Sequence, residues 1–195
     1  MKTTSSRFIV LLFILLLGLK PSIGMAKTYL TNFALQGDSI HMIFLSLSNI
    51  HPEVGGSNEN LAINFKEQFP LVTRSQVFTH FVEIGNTQSE NLEGADSEVI
   101  EIMAEDVDQQ INDLVEDNKI RYFFLFSPTN FHRKDQGLKA RYTVTLVSVL
   151  DQKLLWQNDF QAYFDQVENE LTVQKNYIVD FIQLIKSEEL VAVED

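Results

Sequence analysis

Two rhythms of apolar and polar residues run through this chain, and each predicts its own elements. "SIHMIFLSLS" (39–48) is dense in apolar and β-forming residues, and the Pro and paired Gly of "NIHPEVGGSNEN" then break it. This predicts a strand and a loop, with Gly55-Gly56 as a flexible turn. Leu61, Phe65 and Phe69 recur at i, i+4, i+8, one face of a helix that Asn58 is placed to cap and Pro70 to end at Phe69. "SQVFTHFVEI" (75–84) reads as a second strand. Next, Val99, Ile102, Met103, Val107, Ile111 and Leu114 share a stripe, predicting a helix from about Ser97 to Asp117 with its acids mostly opposite. Asp96 suits its cap, Glu98 the positive end of its dipole and Asn118 a left-handed exit.

The apolar run "IRYFFLFSP" (120–128) has strand length and no alternation, as expected for a strand covered on both faces. "TNFHRKDQGLK" reads as a polar loop. "ARYTVTLVSVL" and "KLLWQNDFQAYF" flank Asp151-Gln152, a hairpin turn without the favoured Gly. In the second of these strands Leu154, Trp156, Phe160, Ala162 and Phe164 share one face at period two, with Asn158 the polar intruder. Trp156, the chain's only tryptophan, is therefore expected in the core beneath a helix. Val167, Leu171, Ile178, Phe181, Ile182 and Ile185 extend a helical spacing from Val167 to Leu190. The expected order is β-α-β-α-β-β-β-α: an α/β single-domain sandwich, a mixed five-stranded sheet with three helices.

The first residues change the picture of location. Lys2 and Arg7 precede the apolar run Phe8–Leu19, and small residues follow Lys20-Pro21, the layout of a secretory signal peptide. The run is shorter than the roughly 20 residues a membrane span needs. Residues 1–26 are expected to be removed after Ala26, or alternatively after Gly24, leaving 27–195 as one domain without a transmembrane segment. The removed piece carries Lys2, Arg7 and Lys20 and no acid, so the net charge moves from −12 to −15. Such a field repels phosphate backbones, and no nucleic-acid partner is expected. Export without any cysteine, or any N-x-[ST] acceptor, points to a bacterial periplasm.

Candidate chemistry is sparse. Without cysteine there is no thiolate, Cys-based zinc site or iron–sulfur ligation. His41 and His80 fall in predicted strands, and His51 and His132 in predicted loops. No helical His pair, G-x-S-x-G elbow or Gly-rich phosphate cradle occurs. Asp106, Asp108 and Gln110 imitate the opening of an EF-hand loop, but Ile111 occupies the position that must be Gly. No cofactor, metal site or catalytic residue is expected. The polar excursion gathers Arg133, Lys134, Lys139 and Arg141 beside Phe131 and His132 in an otherwise acidic chain. Aromatics joined to cations are enriched at interfaces, so Phe131, His132, Arg133, Lys134 and Arg141 are the candidate partner-binding residues.

The strand "IRYFFLFSP", the polar loop, "LVSVLDQKLLW" (146–156) with its Trp, and the closing amphipathic helix resemble bacterial envelope α/β domains of the anticodon-binding-like type. Such domains occur in curli-secretion lipoproteins, in lipoprotein activators of penicillin-binding proteins and at the N-terminus of the Tol propeller protein. The likeness covers mainly the last third and lacks the usual turn Gly and any lipobox cysteine. It implies a non-enzymatic accessory role in the cell envelope, through contact with another envelope protein. The alternative is a small periplasmic hydrolase or ligand-binding protein whose site is assembled from separate loops, with two or more histidines meeting carboxylates.

Overall fold

Four consecutive residues show how the chain is layered: Phe124 and Phe126 sink into one core while Phe123 and Leu125 sink into another. The computed structural model describes residues 39–46, 52–73, 76–84, 97–134, 137–167, 170–188 and 190. The strands are β1 (Ile40–Ser46), β2 (Val77–Glu83), β3 (Tyr122–Lys134), β4 (Gly137–Ser148), β5 (Lys153–Val167) and β6 (Glu170–Val173). The helices are α1 (Pro52–Thr73), α2 (Ser97–Asn118) and α3 (Lys175–Ser187). One mixed sheet runs in the order β2-β1-β3-β4-β5-β6; β1 pairs parallel with β2 and β3, and the rest are antiparallel.

Helices α1 and α3 cover one face of this sheet. Leu61, Phe65 and Phe69 of α1 meet Ile178, Phe181 and Ile182 of α3 over Phe44, Phe126, Tyr142 and Phe160. On the other face α2 sets Val107, Ile111 and Val115 against Ile43 and Leu45 of β1, Val82 of β2, and Phe123 and Leu125 of β3. The unbroken apolar runs of β1 and β3 follow from this: both of their faces are covered, so neither can alternate. Trp156 is buried and meets Phe124 and Phe181 edge-on, at 6.2 and 6.5 Å between ring centroids. Asn158, on the same face, stays half-buried and accepts the Asp159 N–H at 2.8 Å.

The mixed α/β architecture and its three helices agree with the sequence, but the sheet has six strands, not five. The sixth, β6, lies where the spacing of Val167 and Leu171 predicts the start of the last helix. It pairs with β5 from Phe164↔Val173 to Val167↔Glu170, and Asn60 on α1 accepts the Val173 N–H at 2.7 Å. These tertiary bonds outweigh the helical spacing of two residues. Helix α1 also begins earlier than predicted and runs past Pro70, so Gly55-Gly56 is helical rather than a turn. Asn58 is no cap: its side chain donates to the Leu45 carbonyl at 3.0 Å and pins α1 to β1. The left-handed residue after α2 is Lys119 (φ 53), while Asn118 bonds back to the Leu114 carbonyl at 2.8 Å. The proposed signal peptide, the lead-in to β1, His51, the cap at Asp96 and the final tail lie outside the described residues.

The β4–β5 turn spans residues 149–152 rather than two residues, with Gln152 at φ 50 and its N–H on the Val149 carbonyl at 3.3 Å. A side chain in that left-handed region is strained, so Gln152→Gly is expected to stabilise the fold by about 0.5–1 kcal/mol. A higher urea midpoint with unchanged slope is the expected readout; a lower midpoint would mean that the gain in unfolded-state freedom wins.

Candidate functional site

The hairpin of β3 and β4 outruns the parallel half of the sheet. β1 meets β3 only from Phe123 to Phe126, whereas β3 continues to Lys134. Where the sequence predicts a loop over 128–141, the ladder instead runs from Pro128↔Tyr142, past a bulge before Asn130, to Lys134↔Gly137. The cause is tertiary: Leu138, Ala140 and Tyr142 are drawn into the core, and β3 follows its partner outward. A Cβ on Gly137 would lie 2.6 Å from the Phe164 carbonyl oxygen and overlap the Tyr163 ring, so only Gly permits this close approach of β4 and β5.

Alternation then divides the five candidate residues between two faces. Phe131, opposite Ala140, turns inward, and its ring meets Tyr142 edge-on at 5.9 Å. It is therefore half-buried packing rather than an exposed aromatic. Arg133 follows Phe131 in register, opposite Leu138, and Lys134 ends the strand opposite Gly137. His132 and Arg141 lie on the opposite face together with Lys139, all three exposed. On that outer face β5 adds Gln157, Asp159, Gln161 and Tyr163. Thr143 donates to Asp159 at 3.5 Å. Among the described residues α1 and α3 occupy the other face, and the core under α2 reaches β4 only at Val147, away from the outer end of the hairpin. The result is a polar strand face that carries cations at its outer end, on a chain of net charge −12.

A buried polar network anchors the inner side of the same hairpin. The Tyr142 hydroxyl donates to Asn58 Oδ1 at 3.0 Å and lies 3.2 Å from Ser57 Oγ. Burial pushes the Tyr142 hydroxyl pKa well up, against the opposing pull of the Ser57 hydrogen bond, so it stays a neutral donor. The hairpin is thus held at its root by a fixed pair of hydrogen bonds to α1.

Two histidines meet that no sequence spacing brings together. His41 on β1 and His80 on β2 stand on one sheet face because His41 pairs with Phe78, two residues before His80. His41 Nδ1 and His80 Nε2 are 3.1 Å apart, the rings are 8° from parallel, and Phe78 stacks on His41 at 5.1 Å. Burial lowers both pKa values; the charge of His80 adds to this for His41, and that of Lys66 for His80. At neutral pH the pair is uncharged, one ring donating to the other. The only available signal was that His80 shares the alternation of Phe78 and Val82; the parallel register supplied the rest. Among the described residues no third histidine or carboxylate joins the two to make a metal-holding group.

The EF-hand-like acids diverge. Asp106 is exposed and accepts from Gln110 at 3.3 Å, and Gln110 also donates to the Glu83 carbonyl at 3.3 Å. Asp108, about 200° further round the helix, is 3% exposed, and among the described residues neither carboxylate oxygen has a hydrogen-bond partner. Burial pushes its pKa up to about 6. No helix of the described residues is long and apolar enough to cross a membrane.

No protein-family model matches the chain. No curated protein matches it either. Among solved structures it is similar to the PelC dodecamer from Paraburkholderia phytofirmans, with a TM-score of 0.43 and 11% identity over 80% of this chain and 90% of that one. A single-site variant of the same dodecamer gives 0.44 and 12% over 82% and 93%.

Proposed function

We propose that this chain is an exported accessory protein of the bacterial cell envelope, non-enzymatic, that binds another envelope protein through the outer face of the β3–β4 hairpin. The observation that carries the reading is the strand face bearing His132, Lys139 and Arg141, exposed and without a covering helix among the described residues, in an otherwise acidic protein. Exposed strand faces of this kind offer rigid, pre-placed side chains, so little ordering entropy is lost on binding. The resemblance to envelope domains of the anticodon-binding-like type and the signal-like N-terminus support the location. The partner is expected to present carboxylates to the cations and hydrogen-bonding groups to Gln157 and Gln161.

Phe131 is unsuitable for a test, since its loss would disturb the core. The combined variant His132→Ser, Lys139→Glu, Arg141→Glu leaves packing alone and reverses the surface charge. In intact cells, crosslinking from a photoreactive residue at position 139 is expected to capture one dominant envelope protein. The triple variant, crosslinked from position 143, should lose that product at least tenfold while keeping its melting temperature, since rim and surface charges mainly serve association. Undiminished capture by a folded triple variant would sink the proposal. The hydrolase alternative has the His41–His80 pair in its favour, but the described residues set no carboxylate beside it.

A further inference from the structure

The hydrogen bond between His41 and His80 is more closely defined than its length alone shows. An imidazole nitrogen sits about 1.15 Å from its ring centre, the radius that bonds of about 1.35 Å give a five-membered ring. With His41 Nδ1 and His80 Nε2 3.1 Å apart, the ring centres can stand no further from each other than the 5.4 Å observed. Both nitrogens therefore lie on the line joining the two centres, and the lone pair of one points straight along the N–H of the other. The ring planes differ by only 8°. One proton fills that line. Two nitrogens holding one metal ion at about 2.0–2.1 Å would either stand about 4 Å apart in line or aim their lone pairs at an angle, and these do neither. The bond ties β1 to β2, the strand that the described residues pair with β1 alone, and Phe78 packs on the His41 ring at 5.1 Å.

The geometry points to a proton-operated latch between β1 and β2, closed with no added proton or with one and opened by a second. With none, one ring donates and the other accepts, so both carry their proton on the same atom: Nδ1 if His41 donates, Nε2 if His80 does. The first added proton goes to the outer nitrogen of the donor ring, which makes the same bond charge-assisted and stronger. The second has only the accepting nitrogen left to it. That sets N–H against N–H and two positive rings side by side, and the bond is lost. Burial is the largest effect on both rings and lowers both pKa values; the charge of His80 lowers His41 further, and that of Lys66 lowers His80. The unfolded chain, whose histidines titrate near 6.5, therefore takes up these protons before the folded one. Stability from the pair is complete above that pH and is lost as pH falls through the folded values. Other charged groups flank the pair on every side. Glu59 lies two turns before Lys66 on the same flank of α1, and Arg121 leads into β3 two residues before Phe123, the register partner of His41. On α2, Asp106, Asp113 and Asp117 share the stripe of Gln110, which reaches the end of β2, and Glu83 alternates to the face away from His80. All of these are exposed, so solvent screens them. The latch shares no residue with the hairpin face, and the two readings stand or fall separately.

Ring-nitrogen NMR and hydrogen exchange of the purified protein, from about pH 8 to about pH 4.5, test the latch. At the high end His41 and His80 should share one tautomer. On acidification they should titrate in two steps about one pH unit or more apart, as coupled sites do. Through the second step, exchange of the β2 amides, corrected for the intrinsic effect of pH, should quicken about tenfold or more relative to β4, since each unit of lowered pKa is tenfold in the opening equilibrium. His80→Phe keeps a ring in place and leaves a charged His41 nothing to oppose, so its β2 exchange should not change with pH. Asp108→Asn, carried in both proteins, removes the other group that titrates at about 6. Independent single-step titrations of the two histidines overturn the latch. So does β2 exchange that stays level while both rings become charged, or that quickens equally in a folded His80→Phe variant. If that variant does not fold, the NMR steps and the exchange of the parent decide alone.

Discussion

Replacing Phe126 with Ala is expected to cost about 3–5 kcal/mol, a large share of the roughly 5–15 kcal/mol by which single domains are stable. The residue is fully buried, and five other rings surround it: Phe44 at 4.6 Å, Phe65 at 5.4, Phe181 at 5.7, Phe160 at 6.1 and Tyr142 at 6.3. Those neighbours come from β1, α1, α3, β5 and β4, so a cavity at this point cannot close by shifting one element. Lost transfer energy and an uncollapsed void therefore add. Urea unfolding followed by far-UV circular dichroism should show a much lower midpoint at nearly the same slope. Leu71→Ala, at a side chain 77% exposed, is the control and should stay within about 0.5 kcal/mol of the parent. A Phe126→Ala protein losing less than about 1 kcal/mol would mean that this aromatic cluster is not packed as described.

The second large effect is a gain. Asp108→Asn is expected to stabilise the protein near pH 7 by on the order of 1–3 kcal/mol, because the native carboxylate is charged, buried and, among the described residues, unpartnered. Its carboxyl titrates near 3.8 when unfolded and at about 6 in the fold. Between those values the folded state holds more protons than the unfolded state. Stability from this residue is therefore complete below about pH 4, falls as pH rises to about 6, and stays low above that. The variant should lack this fall, so the difference between the two proteins should open across the same window. Denaturant midpoints at several pH values from 4 to 7 read it directly. Parallel pH curves for the two proteins would show that Asp108 reaches solvent or a partner in solution.

How much of this was legible in the sequence differs from element to element. The α2 stripe through Val107 and Ile111 and the two-faced strand "YFFLF" were legible because burial on a whole face leaves a period that single residues cannot disguise. Trp156 was legible for the same reason, sharing period two with Phe160, Ala162 and Phe164, but Leu154, expected on the same face, is not there: a bulge between Leu154 and Trp156 sets Leu154 opposite Val147 and packs Leu155 against this core instead. β6 was not: four residues are too few to show a period, and Leu171 fits a helical and an extended spacing equally well. The hairpin extension escaped for a different reason. Asn130, His132 and Lys139 are polar because one side of the ladder faces water, and a strand with one wet face and short apolar stretches reads like a loop. Of the candidate residues, the cationic cluster was visible in composition, but which members share a face was not.

By itself, then, the sequence determined the elements with a sustained rhythm, the α/β class, the acidic balance and the absence of thiol chemistry, since each of these is a property of residue types and their local order. Tertiary structure alone decided the rest. It turned Phe131 inward and His132 outward, set His41 beside His80 across 39 residues and, among the described residues, buried Asp108 without a partner and placed β2 at the end of the sheet. Those outcomes depend on register and on which faces the helices cover. Both are fixed by summed packing over the whole chain, so no local stretch of sequence carries them.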